Sequence, residues 1–140
     1  QPAHVVTHAP NIVFVDVEMP GELPPLFCDR TRVREVLLNL LTNAIKYNKP
    51  EGSIHIRLSR HEDDLVLAVE DTGRGIPLDD QPDLFEKYRH SPHRANSSGL
   101  GLYICKTLVE ANRGRIWVES APGQGAKFHL VLPTAAGESY

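Results

Sequence analysis

An acid followed by two closely spaced glycines and a proline, Asp71-Thr72-Gly73-Arg74-Gly75-Ile76-Pro77, ends an alternating apolar run, Leu65-Val66-Leu67-Ala68-Val69. A carboxylate at the end of a strand can accept hydrogen bonds, and the glycines let the backbone turn or approach a neighbour closely. Such a turn either reverses the chain or holds something, and by itself it does not say which.

A second chemical stretch lies on a helical pattern upstream. Glu35, Asn39, Asn43, Lys46 and Tyr47 recur at steps of three and four, which places them on one side of a helix. Asparagine is a poor interior helix residue, and two of them cost about 1 kcal/mol relative to better helix formers. The alternatives are a solvated face and a binding face. For binding, Lys46 offers a cation for phosphate, Tyr47 a ring for a base, and Asn43 a carbonyl oxygen for Mg²⁺, which prefers hard oxygen ligands. A third stretch, Ser98-Gly99-Leu100-Gly101-Leu102, opens a helix with glycines and leaves unpaired amides at its positive end, a setting that suits phosphate. Each stretch alone also fits a packing turn; their joint occurrence is the stronger signal.

The elements that must position these groups follow from periodicity. Asn11–Glu18, Ser53–Ser59, Leu65–Glu70, Arg115–Ser120 and Lys127–Leu132 alternate as strands, and Leu26-Phe27-Cys28 fits a further short one. A helix is expected from an Asp29 N-cap to about Asn48, with Val33, Val36, Leu37, Leu40, Leu41, Ala44 and Ile45 forming its buried face. Gln81–Tyr88 is expected as a short helix and Gly99–Asn112 as a long one. His61-Glu62-Asp63-Asp64 falls at a hairpin turn, Arg89–Ser98 reads as a polar loop, and His4 and His8 precede the first strand as surface residues. The interleaving predicts an α/β (α+β) two-layer sandwich. Its sheet is mixed and mostly antiparallel, with about five strands and three main helices on one face. One domain over residues 1–134 with a tail at 135–140 fits the length.

Composition narrows the function. The 140 residues are 41% hydrophobic and 24% charged, with a formal net charge of -3 and no basic run, so a nucleic-acid surface is not expected. No apolar run reaches the roughly 20 residues needed to cross a bilayer, and no signal-peptide pattern is present, so direct membrane contact is not expected and a cytoplasmic location is. The start at Gln1 suggests a piece of a longer protein. Cys28 and Cys105 stand apart and are expected as free, buried thiols.

Taken in order, the motifs resemble the ATP-binding domain of sensor histidine kinases, within the superfamily of DNA gyrase, heat-shock chaperone and mismatch-repair ATPases (the Bergerat fold). The likeness covers about Asn11 to Pro133. Residues 34–47 resemble the N box, Asp71–Pro77 the G1 box, Leu84-Phe85-Glu86-Lys87-Tyr88 the F box, Ser98–Leu102 the G2 box, and Gly114–Ser120 with Gly123-Gln124-Gly125 the closing hairpin. The resemblance implies that Asp71 accepts from the adenine amine, that Gly73, Gly75 and Ile76 shape the base pocket with Tyr47, and that Asn43 binds Mg²⁺ while Lys46 approaches the phosphates. It implies further nucleotide contacts from Asn39, Lys87, Tyr88, Arg89, Ser98, Gly99, Leu100, Gly101 and Leu102, with Arg94 another lid cation.

Where hydrolysing relatives carry a glutamate one turn before the metal-binding asparagine, this sequence has Asn39, an amide that cannot act as general base. The implied reaction is γ-phosphoryl transfer from Mg-ATP to a histidine on a separate helical dimerisation domain, with a response regulator downstream. None of the seven histidines sits in the phosphoacceptor pattern. Ser97 replaces a usual glycine and Ala126 a usual serine or threonine. These departures keep two alternatives open: a non-catalytic nucleotide-sensing or interaction module, and a related ATPase or serine kinase of the same fold.

Overall fold

The computed structural model describes residues 3–8, 11–18, 21, 30–87 and 101–133. Six strands form one sheet: β1 (Ala3–His8), β2 (Asn11–Glu18), β3 (Ser53–His61), β4 (Asp64–Asp71), β5 (Arg115–Ser120) and β6 (Ala126–Pro133), in the order β1-β2-β3-β4-β6-β5. Every pair is antiparallel except β2–β3, which is parallel. Parallel neighbours need a crossover connection, and here it contains helix α1 (Arg30–Lys46). Helix α2 (Gly101–Ala111) feeds β5.

Strand alternation decides what faces the helices. On β4, Leu65, Leu67, Val69 and Asp71 share the buried face; opposite them on β6 lie Leu132, Leu130, Phe128 and Ala126. The core closes where these meet Val36, Leu40 and Ala44 of α1 and Leu102, Cys105 and Val109 of α2. Cys105 is free and fully buried, its thiol donating weakly to the Val36 carbonyl at 3.6 Å. Burial, with the Glu35 carboxylate adding to it, pushes that thiol up to about 12, so it stays protonated.

The mixed α/β sheet is as expected, but two details differ. The described residues contain two α-helices rather than three. Gln81–Lys87 forms successive turns after a short 3-10 segment at Leu78–Asp80, with Leu84 N–H donating to Gln81 and Glu86 N–H to Asp83, the three-residue spacing of turns rather than the four of a helix. His4 and His8 lie within β1 rather than ahead of the first strand, because Ala3–His8 pairs along its whole length with Asn11–Asp16. Leu26–Cys28, Asp29, Arg89–Ser98 and the tail lie outside the described residues. Among the described residues no helix is long and apolar enough to cross a membrane.

The β3–β4 hairpin places Glu62 at a φ of 56°, a left-handed conformation unfavourable for glutamate. Its side chain is exposed. Glu62→Gly is therefore expected to raise stability by about 0.5–1 kcal/mol, measured by urea denaturation; a lower midpoint would show that the turn depends on the glutamate side chain.

Candidate nucleotide site

The inward register of β4 delivers Asp71 to the end of the core face, directly opposite Ala126. There the Asp71 Oδ1 accepts from the Gly73 N–H at 2.8 Å and the Ala126 N–H at 3.3 Å. Burial pushes the carboxyl above its ordinary range; the two amides pull the other way, and Glu70 adds a push upward. Among the described residues no hydrogen bond uses Oδ2. With Oδ1 committed to the backbone, Oδ2 is the acceptor left for a ligand.

Asp71 lines a recess with Asn43, Tyr47, Arg74, Gly75, Ile76, Pro77, Ala126 and Phe128. Its empty volume is about 440 Å³ counting the open mouth. Asn43 and Tyr47 sit one turn apart at the end of α1, while Ile76 and Phe128 supply apolar wall. Phe85 braces that wall edge-on, its ring centroid 6.1 Å from that of Phe128 and at 87° to it. An apolar slot ending in one carboxylate acceptor suits a flat heterocycle that carries an amino group.

The segment from Asp71 to Pro77 is held from both sides. On the α1 side, buried Asn48 donates to the Ser53 carbonyl at 3.0 Å and accepts from the Thr72 hydroxyl at 3.1 Å, while Ser53 N–H donates to that hydroxyl at 2.8 Å. A Cβ on Gly73 would collide with the Tyr47 carbonyl. On the β5–β6 side, Gly123 N–H donates to the Arg74 carbonyl at 2.7 Å and Ile76 N–H to the Ser120 hydroxyl at 2.9 Å. Gln81 bridges the Ile76 and Ser120 carbonyls at 2.9 and 3.0 Å. Gly75 has a φ of 75°, and its added Cβ would strike the Ala121 carbonyl. The close approach there is to the β5–β6 turn, while Gly75 also lines the recess.

Of the residues expected from sequence, Asn43, Tyr47, Asp71, Gly75 and Ile76 come together in the recess, with Gly73 tight behind it. Asn39 lies elsewhere: its amide donates to the Glu35 carbonyl at 3.1 Å, and its oxygen would be 3.3 Å from a Cβ on Gly101. Leu102 is buried in the core. Lys46 is exposed, its ammonium 5.8 Å from the Tyr47 ring centroid, and the Lys87 ammonium is 5.8 Å from that of Tyr103. Tyr88, Arg89, Ser98, Gly99 and Leu100 lie outside the described residues. Sequence reasoning did not place Arg74, Pro77 and Phe128 in the site. Phe128 was findable in principle, since β6 alternation sets it two residues after Ala126 on the same face.

Residues 28–136 match the family model described as histidine kinase-, DNA gyrase B- and HSP90-like ATPase. The alginate biosynthesis sensor protein KinB of Pseudomonas aeruginosa is 40% identical over 86% of the chain, and the adaptive-response sensory kinase SasA of Synechococcus elongatus 42% over 83%. The chain spans only 20% and 31% of the length of those two relatives. Among solved structures, the mycobacterial sensor histidine kinase MprB superposes with a TM-score of 0.76 at 29% identity, covering 87% of this chain and 84% of that one. The nucleotide-free catalytic domain of the histidine kinase ThkA gives 0.77 at 28%, covering 87% and 80%. The order of strands and helices, the Asp71 recess and these likenesses agree: the chain belongs to the histidine kinase-, DNA gyrase B- and HSP90-like ATPase family, as an ATP-binding domain of the sensor histidine kinase type.

Proposed function

We propose that the chain binds Mg-ATP in the recess of Asn43, Tyr47 and Asp71 and presents the γ-phosphoryl to a histidine on a helical dimerisation domain elsewhere in a cytoplasmic part of its parent kinase. A response regulator then receives the phosphoryl group. The observation that carries this reading is the Asp71 carboxylate, anchored through one oxygen by two backbone amides at the end of an apolar slot. An acceptor-only group facing the base favours the amino group of adenine over the carbonyl of guanine. We take residues 1–134 as one unit, a reading supported by the pairing of β1 and β2 into the same sheet as the rest.

Mg²⁺ fits the donor set. Among the described residues no three His, Cys, Asp or Glu side chains gather to hold a metal. Magnesium bound with a nucleotide commonly takes one or two protein oxygens and completes its shell with phosphates and water. Asn43, on the recess wall, is the residue to supply such an oxygen, and the bound ion would offset charge on the phosphates. Lys46, one turn further along α1, is the nearby cation for them. Two observations favour transfer to an acceptor outside this chain. No described histidine lines the recess, and His55 and His129 are engaged with carboxylates, Asp16 and Glu18 for the first and Glu119 for the second. The position one turn before Asn43 holds an amide bonded along its own helix, which counts against hydrolysis.

A thermal-shift series with ATP, GTP and ADP, each with and without Mg²⁺, tests the binding step. ATP at 100 times its Kd should stabilise the fold by about 2.7 kcal/mol. GTP should give little shift, and Asn43→Ala should lose the Mg²⁺-dependent part. Equal shifts for ATP and GTP would remove Asp71 from base recognition. Mixing the loaded domain with the helical domain should then yield acid-labile, base-stable phosphohistidine. Binding without transfer would favour a nucleotide sensor, the reading that the methyl of Ala126 in the recess, in place of a hydroxyl, also supports.

A further inference from the structure

We propose that Arg74 is a positioning residue for the nucleotide base, laying its guanidinium on the Tyr47 ring and so holding that ring as a wall of the recess. The inference rests on the nucleotide reading above and adds to it a residue whose identity neither neighbouring glycine explains. The Arg74 guanidinium carbon lies 5.0 Å from the Tyr47 ring centroid, and both residues line the recess.

Three consecutive residues divide the work. Gly73 fits against the Tyr47 carbonyl, and Gly75 fits against Ala121. Between them, the Arg74 carbonyl is fixed by the Gly123 N–H at 2.7 Å, so the exposed side chain reaches the ring from an anchored base. A planar guanidinium suits this place because it stacks on an aromatic face while keeping its donors toward water. Tyr47 follows the last residue of α1, its N–H still donating to the Asn43 carbonyl at 3.1 Å and its hydroxyl buried, so the guanidinium acts on the face of an already anchored ring. A cation on that face adds to what keeps the ring in place as a wall of the recess, and less ordering remains to be done on binding.

ATP titrations with Mg²⁺ on the wild type, Arg74→Ala, Arg74→Lys, Tyr47→Leu and the double variant Tyr47→Leu/Arg74→Ala test this. Arg74→Ala is expected to raise the Kd for ATP about fivefold, with the unliganded melting midpoint lowered by no more than about 3 °C. Arg74→Lys should recover part of the loss. In the Tyr47→Leu background, Arg74→Ala should add less than about a twofold further loss, because the ring it acts through is gone. Wild-type affinity in Arg74→Ala overturns the inference and leaves the nucleotide site standing; so does a full fivefold loss that persists without Tyr47. A wild type that does not bind ATP overturns the nucleotide reading, and this inference with it.

Discussion

Asp71→Asn is expected to weaken ATP binding by about a hundredfold or more while leaving the unliganded fold as stable as before, or more so. The two halves have one cause. The Gly73 and Ala126 amides both donate to Oδ1, so an asparagine must keep its carbonyl oxygen there and turn its amino group to the place of Oδ2. That group would then face the adenine amine donor to donor. Losing a charge-assisted hydrogen bond and leaving a buried donor unpaired together reach about 3–5 kcal/mol. Stability runs the other way. Burial raises the Asp71 carboxyl, so its contribution to folding is fully present below the ordinary carboxylate range. That contribution is lost as pH rises through the elevated folded value. At neutral pH the folded domain therefore carries an ionised, buried carboxylate at a cost in stability, and the amide removes it. Calorimetric titration and thermal melts of the same preparation check both. Unchanged ATP affinity, or a large drop in the unliganded midpoint near neutral pH, would contradict this account.

The second large effect is on the fold itself. Gly75→Ala should destabilise the domain by about 3 kcal/mol or more, combining a left-handed alanine with a backbone collision. For a chain of this size that corresponds to a fall of about 10 °C in the melting midpoint. The collision partner, the Ala121 carbonyl, belongs to a turn tied on either side through Arg74–Gly123 and Ile76–Ser120, so it has little room to yield. ATP binding should fall with stability, because Gly75 also lines the recess. A variant that melts within about 2 °C of the wild type would show that the β5–β6 turn moves aside easily.

Much of this was legible in the chain because it is local. The apolar spacing of α1 gave a helix within two residues of Arg30–Lys46, and strict alternation marked β2, β4 and β6. The same alternation carries Asp71 onto the buried face two residues after Val69. What stayed hidden depends on partners distant in sequence. Ser120 and Gln81 look like ordinary polar residues until Ser120 meets Ile76, 44 residues away, and Gln81 meets Ser120, 39 residues away. Arg74 reads as a solvated cation until α1 brings Tyr47 beneath it. Gln81–Tyr88 is expected as a short helix, and it carries two adjacent apolar residues, Leu84 and Phe85. In the fold those two side chains pack against the core from successive turns.

The fastening of residues 71–77 to the β5–β6 turn has a consequence for how the domain yields to a protease. Pro122 to Gln124 are exposed at the tip of that turn, where cleavage begins once the backbone peels outward. Peeling there breaks the Gly123 and Ser120 contacts and dissolves the recess in the same act. On the proposed reading, nucleotide bound in the recess is therefore expected to slow digestion at this tip.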